Sequence, residues 1–289
     1  MSHALSASNL FNLRGQVAVV TGGGTGLGLM QARALAANGA KVFITGRRKE
    51  VLDKAVEESG SFSEAGGSLQ ALQMDVNSRE SLAEGVKVVE KEGYLSLLIN
   101  NAGIAQGSVK TLSKVKPEGH EAYSKAMFEV KEEHFTSVYN TNVASPWYVT
   151  AAFLPLLGKA RAANAPKEGA SIINLTSISS FTKEDQDGQE IYNSSKAALV
   201  SLTNMMATEF KDPAIGIRVN SIAPGLFPSE MTTKFPDPSD REAHLKMGYV
   251  LGRPGLPSEM AQAVLYLAAN HFVHGQHLII DGGWLLTHR

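Results

Sequence analysis

Short apolar runs rich in β-branched residues recur along the chain: VAVVT at 17–21, VFIT at 42–45, LQALQM at 69–74, LSLLIN at 95–100, SIINLT at 171–176, IRVNSI at 217–222 and HLIID at 277–281. Between them, apolar residues return at three- and four-residue spacing over 27–38, 49–59, 79–92, 147–157, 192–211 and 258–269. Continuous apolar strands belong in a sheet covered on both faces, and alternation with helices gives parallel pairing. The pattern predicts one α/β domain over 1–289, a doubly wound parallel sheet of seven strands with helices on both faces. Residues 1–14 read as an N-terminal extension.

Two segments break the alternation. Residues 104–135 are charged and expected to be part helix, and residues 225–255 are interrupted by Pro228, Pro236, Pro238 and Pro254. Each follows the C-terminal end of a strand, where an open parallel sheet binds its ligands. Long irregular segments in a compact domain are usually functional or mobile. The second reads as a substrate-binding lid. The first reads as a partial roof over the substrate entrance or, nearly as well, as an external elaboration or subunit contact.

Composition narrows the functions. The 289 residues carry a net charge of −1, with 43% hydrophobic and 19% charged residues. That describes a soluble globular protein with no electrostatic footprint for nucleic acid or an anionic membrane. There is no Cys, so disulfides, thiolate zinc sites and Cys nucleophiles are excluded. No secretory signal, transit peptide, membrane-spanning run or peroxisomal tripeptide is recognisable, and a cytoplasmic protein is the expectation.

The first strand leads through Gly22, Gly23, Gly24, Gly26 and Gly28 into a helix. Glycines let a backbone turn sharply and approach a pyrophosphate, which then rests on the helix N-terminus. A glycine turn without a ligand is the bland alternative, and the strand before and helix after disfavour it. At the end of the second strand, a carboxylate would accept from a ribose 2′-hydroxyl, whereas arginine accommodates a 2′-phosphate. Here Arg47 and Arg48 follow Gly46 and no carboxylate comes until Glu50. NADP(H) is therefore favoured over NAD(H), unless these arginines are only the solvated start of the next helix.

Tyr192 and Lys196 stand four apart, on one face of a predicted helix. An ammonium beside a phenol favours the phenolate, lowering a pKa that starts near ~10 and suiting Tyr192 to proton transfer. An amphipathic helix with both groups pointing outward is an even alternative on this motif alone.

Over nearly its whole length the chain resembles the short-chain dehydrogenase/reductase family. The family's T-G-x-x-x-G-x-G is Thr21-Gly22, Gly26 and Gly28; its N-N-A-G is Asn100-Asn101-Ala102-Gly103; its acidic residue near the adenine is Asp75. Asn142, Ser177, Tyr192 and Lys196 match its tetrad, and Pro224-Gly225 its P-G after the sixth strand. The resemblance implies a Rossmann-like fold and a dinucleotide held by Gly22, Gly24, Thr25, Gly26, Leu27, Gly28, Arg47, Arg48, Asp75, Val76, Asn101, Ala102, Gly103, Tyr192, Lys196, Pro224 and Gly225. It further implies that Tyr192 transfers the proton, Lys196 lowers its pKa and holds the nicotinamide ribose, Ser177 bonds the substrate oxygen, and Asn142 supports a water chain feeding Lys196. Homodimers or homotetramers built on the two long central helices are also implied.

There are departures. Ser177 and Tyr192 are fifteen apart, against roughly thirteen in the family, an insertion of ordinary loop scale. Residues 179–190 absorb it, which makes Ser179 and Ser180 reserve candidates. The connection from Gly103 to Asn142 is longer than usual by roughly fifteen residues. IAPGLFPSEMT (222–232) and residues 154–175 resemble the branch with rhamnolipid-type 3-oxoacyl reductases.

Phe227, Met231, Phe235 and Met247 are candidates to line an apolar substrate pocket, or else to pack the lid onto the body. Trp147 is expected in core or interface. His271, His274 and His277 read as a surface cluster rather than a metal site, because the segment runs from helix to strand and keeps no common face. The expected activity is NADPH-dependent interconversion of a ketone, a 3-oxoacyl thioester or secondary-metabolite ketone, and a secondary alcohol. Polyol or sugar dehydrogenation is the alternative, with a non-catalytic nucleotide-binding regulator behind it.

Overall fold

A computed structural model describes residues 4–106, 114–163, 169–186, 188–232 and 236–288. Seven strands form one parallel sheet: β1 (Val17–Thr21), β2 (Lys41–Gly46), β3 (Ser68–Gln73), β4 (Leu97–Asn100), β5 (Ser171–Leu175), β6 (Arg218–Pro224) and β7 (His277–Ile280). Their order is β3-β2-β1-β4-β5-β6-β7. The order reverses direction between β1 and β4, which opens a crevice at their C-terminal ends. In register, Thr21 lies beside Thr45 and Asn100 beside Asn174, so the residues that follow these strands emerge along one edge.

Alternation along each strand splits the core in two. Ala18, Val20, Val42, Ile44 and Ile222 face the helices Gly26–Ala37 and Pro257–Ala269, through Ala32, Leu35, Met260 and Val264. Val17, Val19, Phe43, Leu98, Ile172 and Val219 face the helices Ser145–Ala162 and Glu190–Phe210, through Val149, Phe153, Leu157 and Met206. Side chains buried from both directions explain why these strands read as continuous apolar runs.

The 104–135 segment is part helix, as its charge pattern suggested: a 3₁₀ turn at Lys116–Glu118 and a helix at His120–Phe128. Phe128 at its end is 94% exposed. A further helix, Glu132–Tyr139, runs through a single π-helical turn, Asn140–Ala144, directly into Ser145–Ala162. Single π turns inside α-helices are frequent at functional sites.

Candidate active site

The glycine turn is clamped from the side by the residues after β4. The Thr21 hydroxyl accepts from the backbone N–H of Asn101 and of Ala102, both at 3.0 Å. The Asn101 amide donates back to the carbonyls of Thr21 (2.8 Å) and Gly22 (3.1 Å). Gly22 has φ +62° and Gly26 φ +50°, a region L side chains avoid. A Cβ on Gly28 would lie 2.4 Å from the Gly22 carbonyl oxygen, so only glycine lets the helix start this close to the turn. Thr25 caps that helix without any side-chain bond to it, and Leu27 follows in its first turn. The helix thus presents its first N–H groups and the positive end of its dipole, a setting that fits a dinucleotide pyrophosphate.

At the end of β2, Arg47 and Arg48 are exposed, and the Arg47 carbonyl accepts from Gln73. Arg48 does not stand alone: its Nη2 is 3.4 Å from Glu230 Oε2, a residue 182 positions later. Asp75, after β3, accepts from the Asn77 N–H through Oδ1, and Val76 beside it is buried. Asn77 in turn donates to the Thr141 hydroxyl at 3.0 Å, tying this corner to the π turn.

The structure brings Ser177, Tyr192, Lys196 and Asn142 together. Ser177 follows β5 and caps the 3₁₀ turn Ile178–Ser180, accepting from the Ser179 N–H at 3.1 Å. Its side chain also hydrogen-bonds Tyr192. Lys196 is buried, its Nζ donating to the Leu175 carbonyl at 2.8 Å and lying 5.8 Å from the centre of the Tyr192 ring. Asn142, on the π turn, is wholly buried and fully bonded. Its Oδ1 accepts from Ile104 N, and its Nδ2 donates to the Ile104 carbonyl (2.9 Å) and the Ser195 hydroxyl (3.0 Å). Ser195 passes the contact on to the Tyr192 carbonyl at 2.7 Å. Gly103 sits between the two ends of this network; a Cβ there would be 3.2 Å from Asn142 Oδ1 and 3.3 Å from Lys196 Nζ.

One expectation is corrected here. The Tyr192 pKa is raised, not lowered: burial disfavours the phenolate, and the bond from Ser177 offsets this only in part. Lys196 is itself pushed down to about 8 by burial, so it is a weaker source of positive charge than a solvated ammonium.

Other expected residues are dispersed. Pro224 ends β6, and a Cβ on Gly225 would meet the Asp281 Cα at 2.9 Å. Phe227 is buried in the core layer on the opposite face of the sheet from the helix carrying Tyr192. There it lies under Gly255 and lines a cleft of about 390 Å³ with Leu226, Tyr249 and Ile280. Met231 is 53% exposed, and Met247 packs by Tyr249 and Trp284, its carbonyl accepting from the indole. Phe235 lies outside the described residues. Ser179 bonds Gln186 rather than Tyr192. Trp147 is 53% exposed and so is not a core residue. His274 bridges Val219 N and the Ala207 carbonyl, while His277 joins Ser221 to Asn204. Among the described residues no group of three His, Asp or Glu is disposed to hold a metal.

Sequence reasoning missed Ser195 and Glu230. Ser195 had a signal, since it precedes Lys196 and points back along the helix. Glu230 had none, its partner being far away in the chain.

A family model described as enoyl-(acyl carrier protein) reductase matches residues 22–285. The short-chain dehydrogenase/reductase PhomF of Diaporthe leptostromiformis is 36% identical, covering 98% of this chain and 95% of its own. The 3-oxoacyl-[acyl-carrier-protein] reductase FabG of Thermotoga maritima is 31% identical, with 95% and 99% covered. The galactitol 2-dehydrogenase (L-tagatose-forming) of Cereibacter sphaeroides is 33% identical, with 95% and 97% covered. Among solved structures, the Pseudomonas aeruginosa RhlG/NADP active-site complex superposes with a TM-score of 0.78 at 31% identity, over 95% of this chain and 98% of that one.

Proposed function

Because the chain belongs to the short-chain dehydrogenase/reductase family, we propose that it is an NADP(H)-dependent carbonyl reductase, interconverting a ketone and a secondary alcohol. The observation that carries this reading is the convergence of Ser177, Tyr192 and Lys196 beside the clamped glycine turn. A bound nicotinamide supplies or takes the hydride. Tyr192 gives its proton to the carbonyl oxygen, or accepts one from the alcohol in reverse. Its raised pKa keeps the phenol protonated, which suits the reducing direction. Ser177, already bonded to Tyr192, donates to the same oxygen as charge develops there. Lys196, fixed on the Leu175 carbonyl, holds the ribose and stabilises the phenolate left behind. Asn142 keeps the loop after β4 and the Tyr192 helix in register.

Arg47 and Arg48 support NADP(H), as does likeness to a protein solved with NADP. The 3-oxoacyl thioester and secondary-metabolite ketone classes draw support from the FabG relative. A second reading, oxidation of a polyol, is favoured by the galactitol dehydrogenase relative. A cytoplasmic homodimer or homotetramer completes the proposal; no described helix is long and apolar enough to cross a membrane.

The test is loss of NADPH absorbance with a panel of ketones, 3-oxoacyl thioesters and, in reverse, polyols, for wild type beside Tyr192→Phe. Turnover that vanishes in the variant while NADPH still binds is expected, and the best substrate names the class. Equal turnover in the variant would remove Tyr192 from the chemistry.

A further inference from the structure

The expectation of a 2′-phosphate site rested on β2 ending in arginines with no carboxylate nearby. The fold brings one in from elsewhere. After β6 the chain turns at Phe227, which is buried, and returns over the glycine turn: a Cβ on Gly26 would lie 3.1 Å from Ser229 Cβ. The Thr232 hydroxyl locks this return, accepting from Ser229 N at 2.7 Å and donating to the Phe227 carbonyl at 2.8 Å. Glu230 is the first residue of the resulting 3₁₀ turn, and its carboxylate faces Arg48 across 3.4 Å. Two independent contacts, Ser229 on Gly26 and Glu230 on Arg48, therefore seat this turn along the edge from the pyrophosphate cradle to the 2′-position.

We propose that Glu230 is a cofactor-discriminating residue, competing with the 2′-phosphate of NADP(H) for Arg48 and so narrowing the enzyme's preference for the phosphorylated nucleotide. This rests on the reading of the site as a dinucleotide site. A phosphate monoester carries about −1.5 to −2 charges at pH 7. To engage Arg48 it must displace the carboxylate and then bear its repulsion. NAD(H) brings no such charge, and its 2′-hydroxyl can donate to Glu230. Arg48 and Glu230 are both more than half exposed, so the exchange is easy and its effect modest.

Nucleotide fluorescence on titration with NADPH and NADH tests this in wild type, Glu230→Gln, Arg48→Ala and the double variant. Glu230→Gln is expected to tighten NADPH by about two- to fivefold, the scale of one exposed charge pair, and to leave NADH unchanged or weaker. That gain should be largely lost on the Arg48→Ala background. An equal change for both nucleotides, no change for NADPH, or a full gain without Arg48 would each overturn the proposal. Were wild type to prefer NADH, the NADP(H) reading would fall, yet a shift of Glu230→Gln towards NADPH would still uphold competition at Arg48.

Discussion

Lys196 is an ammonium removed from water and held on one backbone carbonyl, with its pKa pushed down to about 8. In the unfolded chain the same group keeps its proton to about 10.4. Between those values the unfolded state binds more protons, so this group's contribution to stability rises with pH across about 8 to 10.4 and is flat on either side. The shift corresponds to roughly 3 kcal/mol of disfavoured charge below pH 8. In urea unfolding, the stability of wild type minus that of Lys196→Met is therefore expected to rise by about 3 kcal/mol from pH 7 to pH 10.5. Tyr192, with a raised pKa, acts oppositely: the unfolded phenol ionises first, and stability falls as pH climbs past about 10. That loss is common to both proteins and cancels in the difference. A flat difference would mean that Lys196 is solvated. The Tyr192–Lys196 spacing was legible in the chain, but the direction of the tyrosine's shift was not, because it depends on what covers the helix.

At the scale of elements, the turn from β1 into its helix is closed by a backbone contact at Gly28 inside the clamp made by the Thr21 and Asn101 side chains. Gly28→Ala sets a methyl 2.4 Å from the Gly22 carbonyl oxygen and 2.5 Å from Asn101 Nδ2, the first a backbone atom and the second tied to the Thr21 and Gly22 carbonyls, so neither yields without loss. It is expected to destabilise by about 1–3 kcal/mol and to weaken nucleotide binding at least tenfold, read by thermal unfolding and by titration. Gly158→Ala is the contrast: exposed inside Ser145–Ala162 with nothing within 4 Å of its Cβ, it should stabilise by about 0.5–1 kcal/mol. Unimpaired binding in Gly28→Ala would remove the close approach as the reason for glycine. Strands β1, β2, β4, β5 and β6 could be read from the chain because they are buried on both faces and therefore continuously apolar, whereas β3 and β7 are only partly buried and were marked by their place between helical segments. The helix His120–Phe128 was legible only as partly helical, since it buries little besides Ala126 and lacks a strong apolar stripe. The π turn left no trace in periodicity. It carries Asn142, whose side chain bonds Ile104 and Ser195.

For the molecule as a whole, exposed apolar side chains among the described residues include two groups on the elements that cover and end the sheet. One lies on the long helices that cover the sheet, where Trp147 (53%), Tyr148 (39%) and Met205 (61%) are exposed. The other borders β7, which ends the sheet with one edge unpaired, and there Phe272 (101%), Tyr266 (41%) and Ile279 (42%) are exposed. Scattered apolar residues need no explanation, but large ones gathered at an open sheet edge and along a helix pair are what subunit contacts cover. Two separate surfaces, each closing on itself about a two-fold axis, generate a tetramer, whereas one alone stops at a dimer. Light scattering on the eluting protein is expected to give a tetramer. Placing a charge on one surface at a time, as Trp147→Lys or Phe272→Lys, is expected to leave a dimer in each case, and the pair together a monomer. A wild type that elutes as a monomer would assign both surfaces to other partners. A wild-type dimer broken by Trp147→Lys but indifferent to Phe272→Lys would confine assembly to the long helices and leave the β7 edge open to solvent.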